Sequence, residues 1–195
     1  MSTFVLATAN PDKAAEIRDI LSPLGLTLRE RPREVPDVVE DGDTLEDNAL
    51  LKARALCDAT GVAAIADDTG LFVDALGGAP GVHSARYAGL SATYGENVDK
   101  LLTEMASVPA QLRTARFRTV AAVSYPDGSW FVVDGELEGV IAVAPRGEGG
   151  FGYDPVFVAD GAHGRTLAEL TPAEKHALSH RGNALRALAE ALSER

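Results

Sequence analysis

The sequence predicts an α/β protein built on a long mixed β-sheet flanked by helices, and three features carry that prediction. Phe4-Val5-Leu6-Ala7 is a short, almost wholly apolar run that passes directly into a capped amphipathic segment, as a buried parallel strand feeding a helix does. Val62 to Ala66 is a second apolar run, with an amphipathic segment before it. Against this pattern, Ala115 to Tyr125 and Trp130 to Val143 are long strand-like runs joined through Pro126-Asp127-Gly128-Ser129, a hairpin signal that demands antiparallel pairing. A mixed, elongated sheet accommodates both.

Composition narrows the functional classes. A chain of 195 residues, 46% hydrophobic and 24% charged, is expected to form one domain, or one domain with two lobes. No apolar run approaches the roughly 20 residues that a membrane helix needs. The N-terminal residues lack the basic, apolar, small-residue order of a signal peptide, so a cytoplasmic location and no membrane partner are expected. The single cysteine, Cys57, cannot form an intrachain disulfide, and among Ala55, Leu56 and Ala59 it reads as a small core residue. A net charge of -11 argues against a nucleic-acid partner. An acidic chain can still hold a phosphate-rich small molecule if it gathers a few cations locally and recruits a divalent metal.

In chain order, the first strand ends in Thr8-Ala9-Asn10-Pro11-Asp12-Lys13. Asn10 suits an N-cap and Pro11 the first helical position, with Ile17, Ile20, Leu21 and Leu24 as an apolar stripe. A helix N-terminus after a strand offers backbone N–H groups to an anion, although the same residues also describe an ordinary capped helix. The P-loop pattern is absent. Gly25 reads as the helix stop and Leu26-Thr27-Leu28 as a second strand. Glu30 to Asp43 is rich in proline and acid and reads as a solvated loop. Asp43 with Glu46, or Thr44 with Asp47, has capping-box spacing for a helix carrying Leu45, Ala49, Ala53 and Leu56 on one face, ended by Gly61. Asn48 and Lys52 share another face of it.

Ala66-Asp67-Asp68-Thr69-Gly70 then reads as a strand end with paired acids. It is either a turn with two solvated carboxylates or a site where a cation or a proton transfer compensates them. Gly77 to Gly81 marks a loop, Arg86 is a candidate phosphate ligand, and Val98, Leu101, Leu102 and Met105 mark a further helix. Arg146 to Pro155 holds dense glycines with Phe151 and Tyr153: a flexible turn, or a loop offering an aromatic face to a base. Thr171-Pro172-Ala173-Glu174 caps a short helix, and Asn183 to Leu192 is the last.

Taken in order, Thr8-x-Asn10-x-x-Lys13, Asn48-Ala49-x-x-Lys52-Ala53, Ala66-Asp67-Asp68-Thr69-Gly70-Leu71, Gly77-Gly78-Ala79-Pro80-Gly81 with Ser84-Ala85-Arg86-Tyr87, Gly149 to Pro155, and Glu174-Lys175 with Ser179-His180-Arg181-Gly182 make a specific series. The series resembles the inosine/xanthosine triphosphate pyrophosphatases, across essentially the whole chain. The resemblance implies a single domain over 1–195 with two lobes and a cleft between them, a homodimer, and a Mg²⁺ requirement. It implies hydrolysis of aberrant purine nucleoside triphosphates (ITP, dITP, XTP) to monophosphate and pyrophosphate. A non-catalytic purine nucleotide sensor is the alternative.

By the same resemblance, Thr8, Ala9, Asn10, Pro11, Asp12 and Lys13 hold the triphosphate, with Lys52 adding charge. Asp68 is the general base and shares the metal with Glu40, Asp67 being a further candidate ligand. Thr69 contacts substrate. Phe151, Gly152, Tyr153, Asp154, Lys175, His180 and Arg181 form the base and sugar pocket. Two positions depart from the pattern: Ala9 stands where such loops often carry glycine, and Asp47 stands where glutamate is usual. The second leaves the metal ligand among Glu40, Glu46 and Asp47, with Glu40 favoured.

Overall fold

The computed structural model describes residues 3–36 and 38–194. Among them the strands are β1 (Thr3–Leu6), β2 (Thr27–Arg29), β3 (Ala64–Val73), β4 (Pro80–Gly81), β5 (Thr114–Ser124), β6 (Trp130–Ile141) and β7 (Phe157–Ala159). The helices are α1 (Pro11–Leu21), α2 (Leu45–Thr60), α3 (Tyr94–Glu104), α4 (Pro172–Leu178) and α5 (His180–Ser193). The described strands form a seven-stranded sheet in the order β2-β1-β3-β5-β6-β7, with β4 paired to β3. β1 runs parallel to β2 and to β3, whereas β3–β4 and β6–β7 are antiparallel. The sheet is mixed, as predicted. Asp37, inside the proline- and acid-rich run, and the side chain of Leu24, counted in the first apolar stripe, lie outside the described residues.

The chain divides into two compact units: Met1–Asp68 with Thr119–Gly135 and Arg181–Arg195, and Thr69–Arg118 with Glu136–His180. In the first, Ile17 and Leu21 of α1 and Ala184, Leu185 and Leu188 of α5 bury against Phe4, Leu6, Ile65, Ala121 and Val123. In the second, Val98, Leu101 and Met105 around α3 pack with Phe117, Ile141, Val156 and Phe157. Met105 and Cys57 are buried, consistent with packing roles. Arg113 is 4% exposed, yet its guanidinium donates to the carbonyls of Met105, Ile141 and Ala142, so this charge is satisfied by backbone. Among the described residues no helix is long and apolar enough to cross a membrane.

Several boundaries differ from the sequence reading. β3 does not end at the paired acids but runs through them to Val73. Gly70 reads as a turn glycine, but it lies inside the strand, and a Cβ there would come within 2.8 Å of the Gly81 carbonyl. The glycine therefore serves a close backbone approach. The chain instead turns after Val73, through a short helical turn and then Gly77 and Gly78 at φ +63° and +90°. The last helix begins at His180, three residues before Asn183, because Ser179 leaves α4 in extended backbone and the chain resumes helix at once. Gly182 is buried in the first turn of α5, where packing outweighs its low helix propensity. β4 and β7 are too short to carry a periodic signal.

Candidate active site

The site residues of the first unit are placed by helix caps and strand parity. The Asn10 side chain accepts hydrogen bonds from the backbone N–H groups of Asp12 (2.9 Å) and Lys13 (3.4 Å), and Thr8 Oγ1 accepts from Asn10 N–H (3.1 Å). These bonds fix the loop between β1 and α1 and set Lys13 on the first turn. Ala9, Pro11 and Asp12 stay exposed along it. Thr44 caps α2 by accepting from Asp47 N–H, and its hydroxyl donates to the Asp47 carboxylate (2.7 Å). Asn48 is fully buried and exchanges hydrogen bonds with the backbone of Gly42, which pins the chain after Glu40 to this helix.

Successive residues of a strand face opposite ways, so Asp67 and Asp68 do not confront each other. Asp67 shares the parity of Ile65 and meets the α1 and α5 side. Its Oδ2 lies 3.2 Å from Lys13 Nζ and 3.2 Å from Arg181 Nε. Asp68 meets α2, with its Oδ1 3.0 Å from Lys52 Nζ, and the same ammonium lies 3.1 Å from Glu40 Oε1. Both aspartates are buried, at 3% and 6% exposure.

The two environments drive the carboxyls apart. Burial alone would raise the pKa of Asp67, but Lys13, Arg181 and Lys52 outweigh it and hold the group far below the usual carboxylate range. At Asp68 burial prevails over Lys52 and Lys13, Glu40 adds its repulsion, and the pKa is raised. Burial opposes the charge on Lys52, yet Asp68 and Glu40 together keep its pKa high. Burial lowers that of Lys13 despite Asp67, with Lys52 and Arg181 pushing the same way. Carboxylates tuned in opposite directions take different tasks, and the raised one suits proton transfer near neutral pH.

Arg181, expected among the base-pocket residues, is engaged by carboxylates of the first unit. Its guanidinium is 2% exposed and binds Asp67 through Nε and Glu16 through Nη1. The physical reason is that a buried guanidinium needs anionic partners, and these two carboxylates supply them. Glu16, 8% exposed, is the site residue that sequence reasoning missed. The available signal was an acid one turn beyond Lys13 and immediately before Ile17, where the stripe is apolar.

In the second unit, Gly150 at φ +69° leaves room that a Cβ would take from the Asp154 carboxylate. Asp154 Oδ2 accepts from Phe151 N–H (2.8 Å) and from Lys175 Nζ (2.8 Å). The Lys175 ammonium lies 4.7 Å above the Phe151 ring, which also packs on Tyr94 at 5.9 Å. Gly152 and Thr69 are half-buried. Tyr153 is not a stacking face: it is 5% exposed in the core, its hydroxyl donates to the Ser84 carbonyl (2.9 Å), and burial pushes its pKa up. Phe151 is the loop's accessible ring. His180 is buried and stacks on Phe117 at 4.5 Å. Arg86 falls in a short helical turn, half-buried.

Among the described residues no three His, Cys, Asp or Glu side chains form a ready metal cluster. Magnesium, however, takes one or two carboxylates and completes its shell with water and substrate phosphate. Glu40 and Asp68 converge on one ammonium, and Asp68 Oδ2 is buried without a hydrogen-bond partner among the described residues. These hard oxygen donors fit that ion. Asp47 is turned to its cap, and Asp67 is held by Lys13 and Arg181.

Lys13 and Lys52 beside the buried Asp67 and Asp68, with Glu40 on the same ammonium as Asp68, make a site whose charges suit phosphoanhydride chemistry. The family model described as the Ham1 family matches residues 4–191, and the chain belongs to that family. It is 48% identical to the dITP/XTP pyrophosphatase of Streptomyces coelicolor, over 100% of this chain and 98% of the relative. It is 50% identical to that of Thermus thermophilus, over 97% and 91%. A solved structure of a HAM1 protein from Coxiella burnetii matches with a TM-score of 0.91 at 42% identity, over 100% of both chains. One of a nucleoside-triphosphatase / dITP/XTP pyrophosphatase from Mycobacterium abscessus matches at 0.77 and 44%, over 95% and 97%.

Proposed function

We propose that this protein hydrolyses the aberrant purine nucleoside triphosphates dITP, ITP and XTP to the monophosphate and pyrophosphate. The observation that carries the reading is the Asp67–Asp68 step, which holds one carboxylate firmly ionised against two cations and leaves its neighbour with a raised pKa and an open oxygen. In this scheme Thr8 to Lys13 and Lys52 hold the triphosphate, and Asp68 orients and deprotonates the attacking water. Asp67, fixed by Arg181, keeps Lys13 positioned for phosphate. Glu40 and Asp68 would hold Mg²⁺, which when bound offsets phosphate charge. Thr69 contacts substrate.

Phe151, Gly152, Asp154, Lys175 and His180 read the base. Lys175 can only donate hydrogen bonds, so it favours a six-oxo purine and opposes adenine, which presents a donor there. Tyr153 holds the loop from within the core. We further place the protein in the cytoplasm as a homodimer, without a nucleic-acid or membrane partner. The test is turnover of dITP, ITP, XTP, GTP and ATP with magnesium, scored for monophosphate and pyrophosphate. Release of pyrophosphate from the first three, well above ATP, is expected. Tight dITP binding with no turnover would instead make the protein a nucleotide sensor.

A further inference from the structure

A cavity of about 510 Å³ in the first unit adjoins the loop between β1 and α1. Its lining contains none of Lys13, Glu40, Lys52, Asp67 or Asp68, and it shares Thr8, Ala9, Asn10 and Pro11 with the loop assigned to the triphosphate. Arg18, Arg31 and Arg33 line it against one carboxylate, Glu30. Among the described lining residues, three guanidiniums less one carboxylate leave two positive charges, in a chain of net charge -11. Arg18 is bridged to Glu30 at 2.9 Å, and Arg31 donates to the Val35 carbonyl at 2.8 Å, which fixes both along the wall. Arg33 is exposed at the rim.

We propose that this cavity is a second, non-catalytic site for a nucleoside phosphate. Guanidinium forks match phosphate oxygens in shape as well as charge. The volume is that of a small-molecule site rather than of a bare anion. Pro11, Pro32, Val35 and Pro36 supply an apolar wall that a purine or pyrimidine ring would cover and inorganic pyrophosphate would leave wet. This assignment stands whether or not the acidic cluster is catalytic.

The experiment is calorimetric titration of the full chain with ADP, inorganic pyrophosphate and adenosine, in wild type, Lys13→Ala and Arg33→Glu. Arg33 is exposed, so its reversal leaves the fold intact, as a thermal melt would verify; Arg31→Ala serves as a second variant. Wild type is expected to bind ADP more tightly than either fragment. Lys13→Ala should retain that binding within about threefold, while Arg33→Glu weakens it by about tenfold or more, the order expected when a charge-assisted contact is lost. Dependence of ADP binding on Lys13 but not on Arg33, or its absence from wild type, would overturn the proposal. So would pyrophosphate binding as tightly as ADP, which would make the cavity a bare anion site.

Discussion

Truncating Arg181 to alanine is expected to destabilise the protein by about 3 kcal/mol, the lower end of the range for removing one partner from a buried ion pair. The guanidinium is 2% exposed and bridges Asp67 and Glu16, themselves 3% and 8% exposed, so its loss removes a cation that two buried anions share. Lys13, 3.2 Å from Asp67, continues to compensate one of them, which keeps the figure at the low end. In a chain of this length each kcal/mol moves the melting temperature by about 2–4 °C, so a fall of roughly 6–12 °C is expected. Adding Glu16→Gln to the Arg181→Ala background should restore about 1 kcal/mol, because it removes one of the two buried anions that faced the guanidinium, whereas Glu16→Gln alone destabilises. Urea denaturation of the four proteins in chelator measures both effects. A loss below about 1 kcal/mol for Arg181→Ala, or equal effects of Glu16→Gln in the two backgrounds, would refute the reasoning.

Three further outcomes follow from the same geometry. Because the fold raises the pKa of Asp68, its contribution to stability is fully present below the unfolded value near 3.9 and is lost as pH rises through the folded value. In magnesium-free buffer Asp68→Asn should therefore gain on wild type in denaturation midpoint as pH rises from about 4, and a gap that does not change with pH would count against this. Excess chelator should abolish dITP hydrolysis, and Glu40→Gln should raise the magnesium needed for half-maximal rate while Glu46→Gln does not. The reverse order would move the ligand onto α2. Lys175→Met should raise KM for dITP by about tenfold, yet leave inhibition by inorganic tripolyphosphate unchanged, since Lys175 holds Asp154 and Phe151 rather than phosphate. Equal weakening of both would place Lys175 on the phosphates.

Local signals made most of the fold legible. Asn10, Thr44 and Gly61 cap the helices that their residue types announced, and the Pro126–Ser129 turn joins β5 to β6. What the sequence concealed is set by distant partners. Arg181 follows His180 in the chain and reads as its companion, but its carboxylates come from 114 and 165 residues away. Adjacent Asp67 and Asp68 read as a like-charged pair because the strand seemed to stop before them. Once β3 runs through both, alternation separates them and gives each its own cations. Tyr153 and Phe151 lie two residues apart in one glycine-rich loop, and only the Ser84 carbonyl reveals that one ring is core and the other accessible.

The central claim is that Asp68 supplies the base for phosphoanhydride hydrolysis while the surrounding lysines bind the substrate. Steady-state kinetics of Asp68→Asn on dITP at saturating magnesium, beside wild type, tests it most directly. The account predicts a fall in kcat of about 10²- to 10⁴-fold with KM held within a few-fold, as for loss of a group that acts in the transition state. Near-normal kcat in Asp68→Asn would contradict it.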